Sequence, residues 1–216
     1  MGSYAVIGLG RFGSSVARTL VKLGHEVLGI DKSEKKVQEM SNILTHVVAA
    51  DSKNEEVLKS LGIRNFDAVV VAIGEDTEAN ILTTVLLTQL GVKNIIAKAN
   101  TDIHGEVLKR VGATKIVHPE KDMGEKVANN MASGTILDYI ELSPKHSIVE
   151  FAAPKKFVGK TLGKLNLRAK YGISVLAIKK GERIIVAPGA DGLIEDKDLL
   201  VVVGENDKVK KCSKSN

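Results

Sequence analysis

A short apolar run, Tyr4-Ala5-Val6-Ile7, passes directly into Gly8-Leu9-Gly10-Arg11-Phe12-Gly13 and then into a helical stretch, Ser14 to Leu23. Three glycines at this spacing arise by chance in many chains, but a strand before them and a helix after them mark a phosphate-binding turn. Gly8 permits the tight turn, Gly10 lets backbone approach a pyrophosphate, and Gly13 lets the helix pack close to the strand. The helix N-terminus offers free N–H groups and the positive end of a dipole, so an anionic nucleotide is the expected guest. Asp31 ends the next apolar run, Val27-Leu28-Gly29-Ile30. There a carboxylate hydrogen-bonds a ribose 2′-hydroxyl in dinucleotide folds. The plainer alternative is a glycine turn with Asp31 as an ordinary helix cap.

The pattern continues in the same rhythm to about residue 118. Strands are expected at 4–8, 26–30, 46–50, 67–73, 94–99 and 115–118, with helices at 12–23, 33–42, 54–61, 77–90 and 102–111. Alternation of this kind is the signature of βαβ units and a parallel sheet. Val69-Val70-Val71-Ala72-Ile73 is continuously apolar, as a central strand covered on both faces must be. The fold class is therefore α/β, a doubly wound, Rossmann-like parallel sheet. Polar positions collect after the strand ends: Asp51-Ser52, Gly74-Glu75-Asp76, and Lys98 to Asn100. Ligands of such sheets bind there, although Asp51 and Asp76 serve equally well as helix caps.

His118-Pro119-Glu120-Lys121-Asp122-Met123-Gly124 leads into a helix from about 122 to 133, and Ser143-Pro144-Lys145 then breaks the pattern. Beyond it, strands at 147–153, 173–179, 183–188 and 198–204 surround one helical stretch near 161–167. We divide the chain into a nucleotide-binding domain (1–122), a crossover helix and linker (123–140), and a smaller α+β domain (141–216).

Composition excludes more than it assigns. No apolar run approaches the roughly 20 residues that span a bilayer, and no charged-then-apolar leader is visible, so a cytosolic protein is expected. Net charge is +5, yet aromatics are 3% and the lysines look scattered among acidic residues, gathering only at Lys208, Lys210, Lys211 and Lys214. Nucleic acid is not an expected partner. The basic tail fits an anionic membrane surface or mere solvation. The single cysteine, Cys212, lies in that tail and reads as an exposed, incidental thiol.

Catalytic groups are scarce. An NAD(H)-dependent oxidoreductase would need a general acid or base from the second domain, whose sole histidine, His146, sits in a linker-like SPKHS stretch. His104 and His118 read as structural. Binding without turnover is the better reading, and no enzyme activity is expected. Arg11 sharpens it, because a planar five-donor guanidinium suits a terminal phosphate better than a neutral nicotinamide. Glu120 near a polyphosphate would require a cation between them.

The motifs Ala5 to Gly13, Ala72-Ile73-Gly74, His118 to Gly124 and Leu167-Arg168-Ala169-Lys170-Tyr171-Gly172 together resemble the cytosolic gating subunits of bacterial Ktr potassium transporters, a family of RCK (regulator of potassium conductance) proteins. The resemblance covers essentially the whole chain. It implies ATP or ADP bound by the N-terminal domain, dimers assembled into an octameric ring, and a membrane potassium-translocating partner at the inner face of the cell membrane. Carried over by position, Gly8, Gly10 and Gly13 would hold the phosphates, with Arg11 on the terminal one. Asp31 would bind ribose, Asp51 and Ser52 would lie by the adenine, Lys98 would approach the phosphates, and Glu120 would join a cation between subunits, with Phe12, Lys32, Ile73 and Gly74 as further nucleotide-binding residues. The C-terminal domain resembles a cyclic di-AMP receptor, which points to Leu167, Arg168, Ala169, Ile184, Ile185 and Pro188. The polar Gly163-Lys164 departs from the apolar pattern expected just before that site.

Overall fold

The computed structural model describes residues 1–133 and 136–214 and divides into two compact units, Met1–Lys121 and Asp122–Asn216. In the first unit, six parallel strands alternate with five helices. The strands are β1 (Ser3–Ile7), β2 (Glu26–Asp31), β3 (His46–Ala49), β4 (Ala68–Val71), β5 (Ile95–Lys98) and β6 (Lys115–Val117). The helices are α1 (Arg11–Lys22), α2 (Glu34–Met40), α3 (Glu55–Ser60), α4 (Thr77–Gln89) and α5 (Asp102–Arg110). The sheet order is β3-β2-β1-β4-β5-β6, so the winding reverses between β1 and β4. This is the doubly wound arrangement the alternation predicts, and ligands of such sheets lie at that reversal.

Successive side chains of each strand enter opposite cores. Ala5 and Ile7 join Ile30, Val69, Val71 and Ile95 beneath Leu58, Leu87 and Leu108 of α3, α4 and α5. Val6, Val27 and Val70 face the other way, against Ala17 and Met40 of α1 and α2. Each fully buried aliphatic side chain contributes about 1.5–3 kcal/mol relative to exposure, which is why a central strand is apolar on both faces. Registry then aligns the strand ends. Ile7 pairs with both Ile30 and Val71, so the glycine turn, Asp31 and Ala72 emerge along one edge.

The second unit begins with α6 (Pro119–Ser133), most of which lies beyond Lys121, and continues into an antiparallel sheet. Its strands are β7 (Ile136–Ser143), β8 (His146–Ala152), β9 (Ser174–Lys180), β10 (Arg183–Val186) and β11 (Leu199–Glu205), in the order β10-β9-β11-β8-β7. Short helices α7 (Leu162–Leu165) and α8 (Leu167–Tyr171) and a final helix α9 (Asn206–Ser213) complete it.

Several local expectations are corrected. Pro119 is the first residue of α6 rather than preceding it, a position where its missing N–H costs nothing. β7 occupies what reads in sequence as linker, and SPKHS is the turn of a β-hairpin in which the Ser143 hydroxyl accepts from the His146 N–H at 3.2 Å. The single helical stretch at 161–167 is two short helices, because Asn166 adopts a left-handed conformation, φ 43°, at their junction. The C-terminal tail is not merely solvated. Val209 and Cys212, three residues apart on one face of α9, are buried with Phe151, Phe157, Leu165 and Leu167. Cys212 is thus a core residue, and burial pushes its thiol up to about 11.

Candidate functional site

Helix α1 opens at Gly10 without a side-chain cap and without an acidic residue in its first turn. By contrast, α3, α4 and α5 are capped by Asn54, Asp76 and Thr101, each accepting from backbone N–H groups. α2 also lacks a side-chain cap but carries Glu34 in its first turn, so among α1 to α5 only α1 lacks both, and it stands at the reversal point of the sheet. The dipole and unpaired N–H groups at its N-terminus favour an anion.

The three glycines have separable roles. Gly8 has φ +94°, and a Cβ there would stand 2.9 Å from the Ala72 carbonyl carbon. A Cβ on Gly13 would lie 1.8 Å from the Gly8 carbonyl oxygen, so only glycine allows α1 this close to the turn. A Cβ on Gly10 would meet nothing within 4 Å. The space above Gly10 is the cavity itself.

That cavity measures about 400 Å³. Gly8, Gly10, Arg11, Phe12, Asp31, Lys32, Asp51, Ser52, Ile73, Gly74, Lys98 and Glu120 all line it, so twelve of the thirteen first-unit positions named from sequence converge. Gly13 lies behind the turn as a packing residue. Asp31, buried at 7% exposure, accepts from the Leu9 N–H at 2.7 Å and the Ser33 N–H at 2.9 Å. It braces the glycine turn and also receives Lys36 at 3.4 Å. Asp51 accepts from Lys53 N–H while Asn54 caps α3, so Asp51 is a loop residue on the cavity wall and not the helix cap. The Ser52 and Thr83 hydroxyls share a buried hydrogen bond of 2.8 Å.

On the opposite wall Lys98 donates to Glu120 at 2.6 Å, from a side chain only 11% exposed. This hydrogen bond holds the Glu120 carboxyl below its ordinary value of 4.5, with Arg11 adding a smaller attraction. Among the described residues no group of three or more His, Cys, Asp or Glu side chains could hold a metal, so Glu120 offers one carboxylate, already engaged.

Sequence reasoning missed the braces beneath this wall. Asn80, fully buried, donates to the Ile73 carbonyl at 2.7 Å and the Lys98 carbonyl at 2.9 Å, tying the ends of β4 and β5. Asn100 donates to the Gly74 carbonyl, and its own N–H reaches His104 Nδ1 at 3.3 Å. His104 is thereby structural, and burial first, then His118, holds its imidazole below the usual range. The available signal was an asparagine inside the apolar stretch of α4.

The positions named in the second unit do not share one environment. Leu167 is 4% exposed within the core, whereas Arg168, Ala169 and Ile184 are exposed and Ile185 and Pro188 half-buried.

The chain matches the TrkA-N domain over residues 4–119 and the TrkA-C domain over 146–214. It is 51% identical to Ktr system potassium uptake protein C of Bacillus subtilis, over 93% of this chain and 91% of that protein. It is 46% identical to Ktr system potassium uptake protein A of the same organism, over 96% and 94%. Among solved structures the GsuK RCK domain superposes with a TM-score of 0.71 at 18% identity, covering 99% of this chain but 48% of that longer one, a likeness of fold. The chain, a TrkA-N domain followed by a TrkA-C domain, therefore belongs to the Ktr potassium uptake proteins.

Proposed function

We propose that this protein is the nucleotide-sensing cytoplasmic subunit of a potassium uptake system, with ATP and ADP competing for the cavity at the glycine turn. The observation carrying this reading is the convergence of an uncapped helix N-terminus, the open space at Gly10 and Lys98 on one cavity. Phosphates fit against the first turn of α1, where N–H groups and the dipole favour anions. Asp31, at the end of β2, fits the ribose, and Asp51 and Ser52 flank the base.

Arg11 distinguishes the two nucleotides by meeting the terminal phosphate of ATP. A ligand shifts a conformational equilibrium only by its differential affinity, so ATP must gain a contact in one state that ADP lacks. In the free protein Lys98 is held by Glu120. A bound polyphosphate would draw Lys98 away, and Glu120 would then be the side chain able to hold a cation that neutralises the phosphates. The protein acts as dimers within an octameric ring, docked on a membrane potassium-translocating subunit at the inner face of the cell membrane. Cyclic di-AMP acts through the exposed Arg168, Ala169 and Ile184 of the second unit.

An NAD(H)-binding reading is favoured by one observation, the buried carboxylate of Asp31 at the end of β2. Mass spectrometry of the ligand that co-purifies with the native protein separates the two. ADP or ATP supports the proposal, and NAD(H) in its place overturns it.

A further inference from the structure

The second unit segregates its charge by layer. Residues 154–171 contain six basic residues and no acidic one, and residues 206–214 contain four basic residues and one acidic. Everything else from residue 122 onward holds six basic and eleven acidic residues. In sequence the two basic segments are 34 residues apart, and the lysines look dispersed.

The fold joins them. Phe157, Leu165 and Leu167 from the first segment and Val209 and Cys212 from α9 enter one core, so both segments form a single helical layer on the sheet. The aliphatic stem of Lys208 would be 3.2 Å from a Cβ on Gly172, directly after α8. Lys156 lies close enough to Cys212 to act on its thiol electrostatically. With their apolar neighbours turned inward, Lys155, Lys156, Lys160, Lys164, Lys210 and Lys214 are exposed. None of these six has an acidic side chain within ion-pair distance among the described residues. Ion pairs elsewhere in the unit bind Lys179 to Glu150 and Lys180 to Glu195 and Asp198.

We infer that this helical layer is a docking surface for anionic phospholipid headgroups, placing the second unit against the membrane in which potassium uptake takes place. Charge complementarity identifies the partner class, because clustered lysines are attracted to an anionic bilayer surface within a Debye length. No large apolar side chain of either segment is exposed, so the contact is electrostatic adsorption and not insertion. Duplex nucleic acid is the poorer fit. The first segment offers only helices of four and five residues, and α9, of eight, is seated on the core through Val209 and Cys212, so no long helix stands free to enter a groove. This inference is independent of which nucleotide occupies the first unit.

The test is sedimentation of the full chain with vesicles of phosphatidylcholine, with and without about one third phosphatidylglycerol. Binding is expected only to the anionic vesicles, and it should be abolished at high salt. The double variants Lys155→Glu/Lys156→Glu and Lys210→Glu/Lys214→Glu should each lose on the order of tenfold or more in partitioning. An equal charge reversal in the first unit, Lys22→Glu/Lys93→Glu, should lose much less. Protection of the buried Cys212 from thiol reagents in each second-unit variant reports that the second unit is intact, and the melting temperature does so for the first-unit variant. Equal losses in all three variants would reduce the effect to net charge and overturn the proposal. So would unchanged binding after both second-unit reversals, or tighter binding to duplex DNA than to anionic vesicles under the same salt.

Discussion

Lys98 reaches from the end of β5 to Glu120 in the first turn of α6, 2.6 Å between Nζ and Oε1, on the wall of the cavity at the glycine turn. A lysine this enclosed is seldom left without an anion. Here the anion is Glu120, and on the proposed reading a nucleotide phosphate takes its place when bound. Glu120→Gln removes that competitor. In metal-free buffer the variant should bind ATP roughly two to five times more tightly, the range of a partly exposed ion pair. Magnesium should tighten binding to the wild type and leave the variant unaffected. Because the Glu120 carboxyl lies below its ordinary 4.5, the pair is intact above that value and lost only as pH falls through the lowered one. The difference between the two proteins should therefore be flat from about pH 5.5 to 8. Calorimetry that found weaker binding by the variant would refute the exchange.

Gly10 and Gly13 make opposite predictions. Gly10→Ala places a methyl group in open space, at φ −69°, so the melting temperature should scarcely change while nucleotide affinity collapses. Gly13→Ala drives a methyl group onto the Gly8 carbonyl and should cost about 1–3 kcal/mol or more, read as a lowered melting temperature. Similar effects of the two substitutions on stability would contradict the assignment of one to ligand space and the other to packing.

The difference between these glycines is not visible in the motif, which shows spacing but not what each missing Cβ would strike. The sheet itself was legible, since β-branched runs and amphipathic helices alternate with little ambiguity from Tyr4 to Val117. The cavity wall was legible for the same reason: in a doubly wound sheet the strand ends converge whatever their sequence separation. Asn80 was not, because a buried asparagine declares itself only through the two carbonyls that it bridges. The second unit was harder. Its lysine-rich tail looks solvated until Val209 and Cys212 are seen on one face, and β7 follows α6 with too little punctuation to separate it from a linker. The basic layer was invisible for a stricter reason, since its two halves meet only in the folded chain.

Cys212 should behave as a core thiol. With its pKa raised from 9.0 to about 11, the native protein should resist thiol reagents at pH 8 and react fully once denatured. Between those two values the unfolded chain releases a proton that the folded one retains, so stability should fall as pH rises from about 9 toward 11. Cys212→Ser should remove that dependence. Rapid labelling of the native protein would show that α9 is not seated on the core.

Arg168 is exposed on α8, next to the buried Leu167. Arg168→Ala should abolish cyclic di-AMP binding and leave ATP affinity unchanged, as measured by calorimetry with each ligand. Retained cyclic di-AMP affinity would remove this surface from the account.

The central claim is that the cavity senses the terminal phosphate of an adenine nucleotide through Arg11. Its most direct test is calorimetric titration of ATP, ADP and NADH into the wild type and Arg11→Ala. The account predicts that the wild type binds both adenine nucleotides in preference to NADH, and that the substitution weakens ATP by about tenfold or more while leaving ADP nearly untouched. Equal losses for ATP and ADP, or a wild type that binds NADH and ignores ATP, would contradict it.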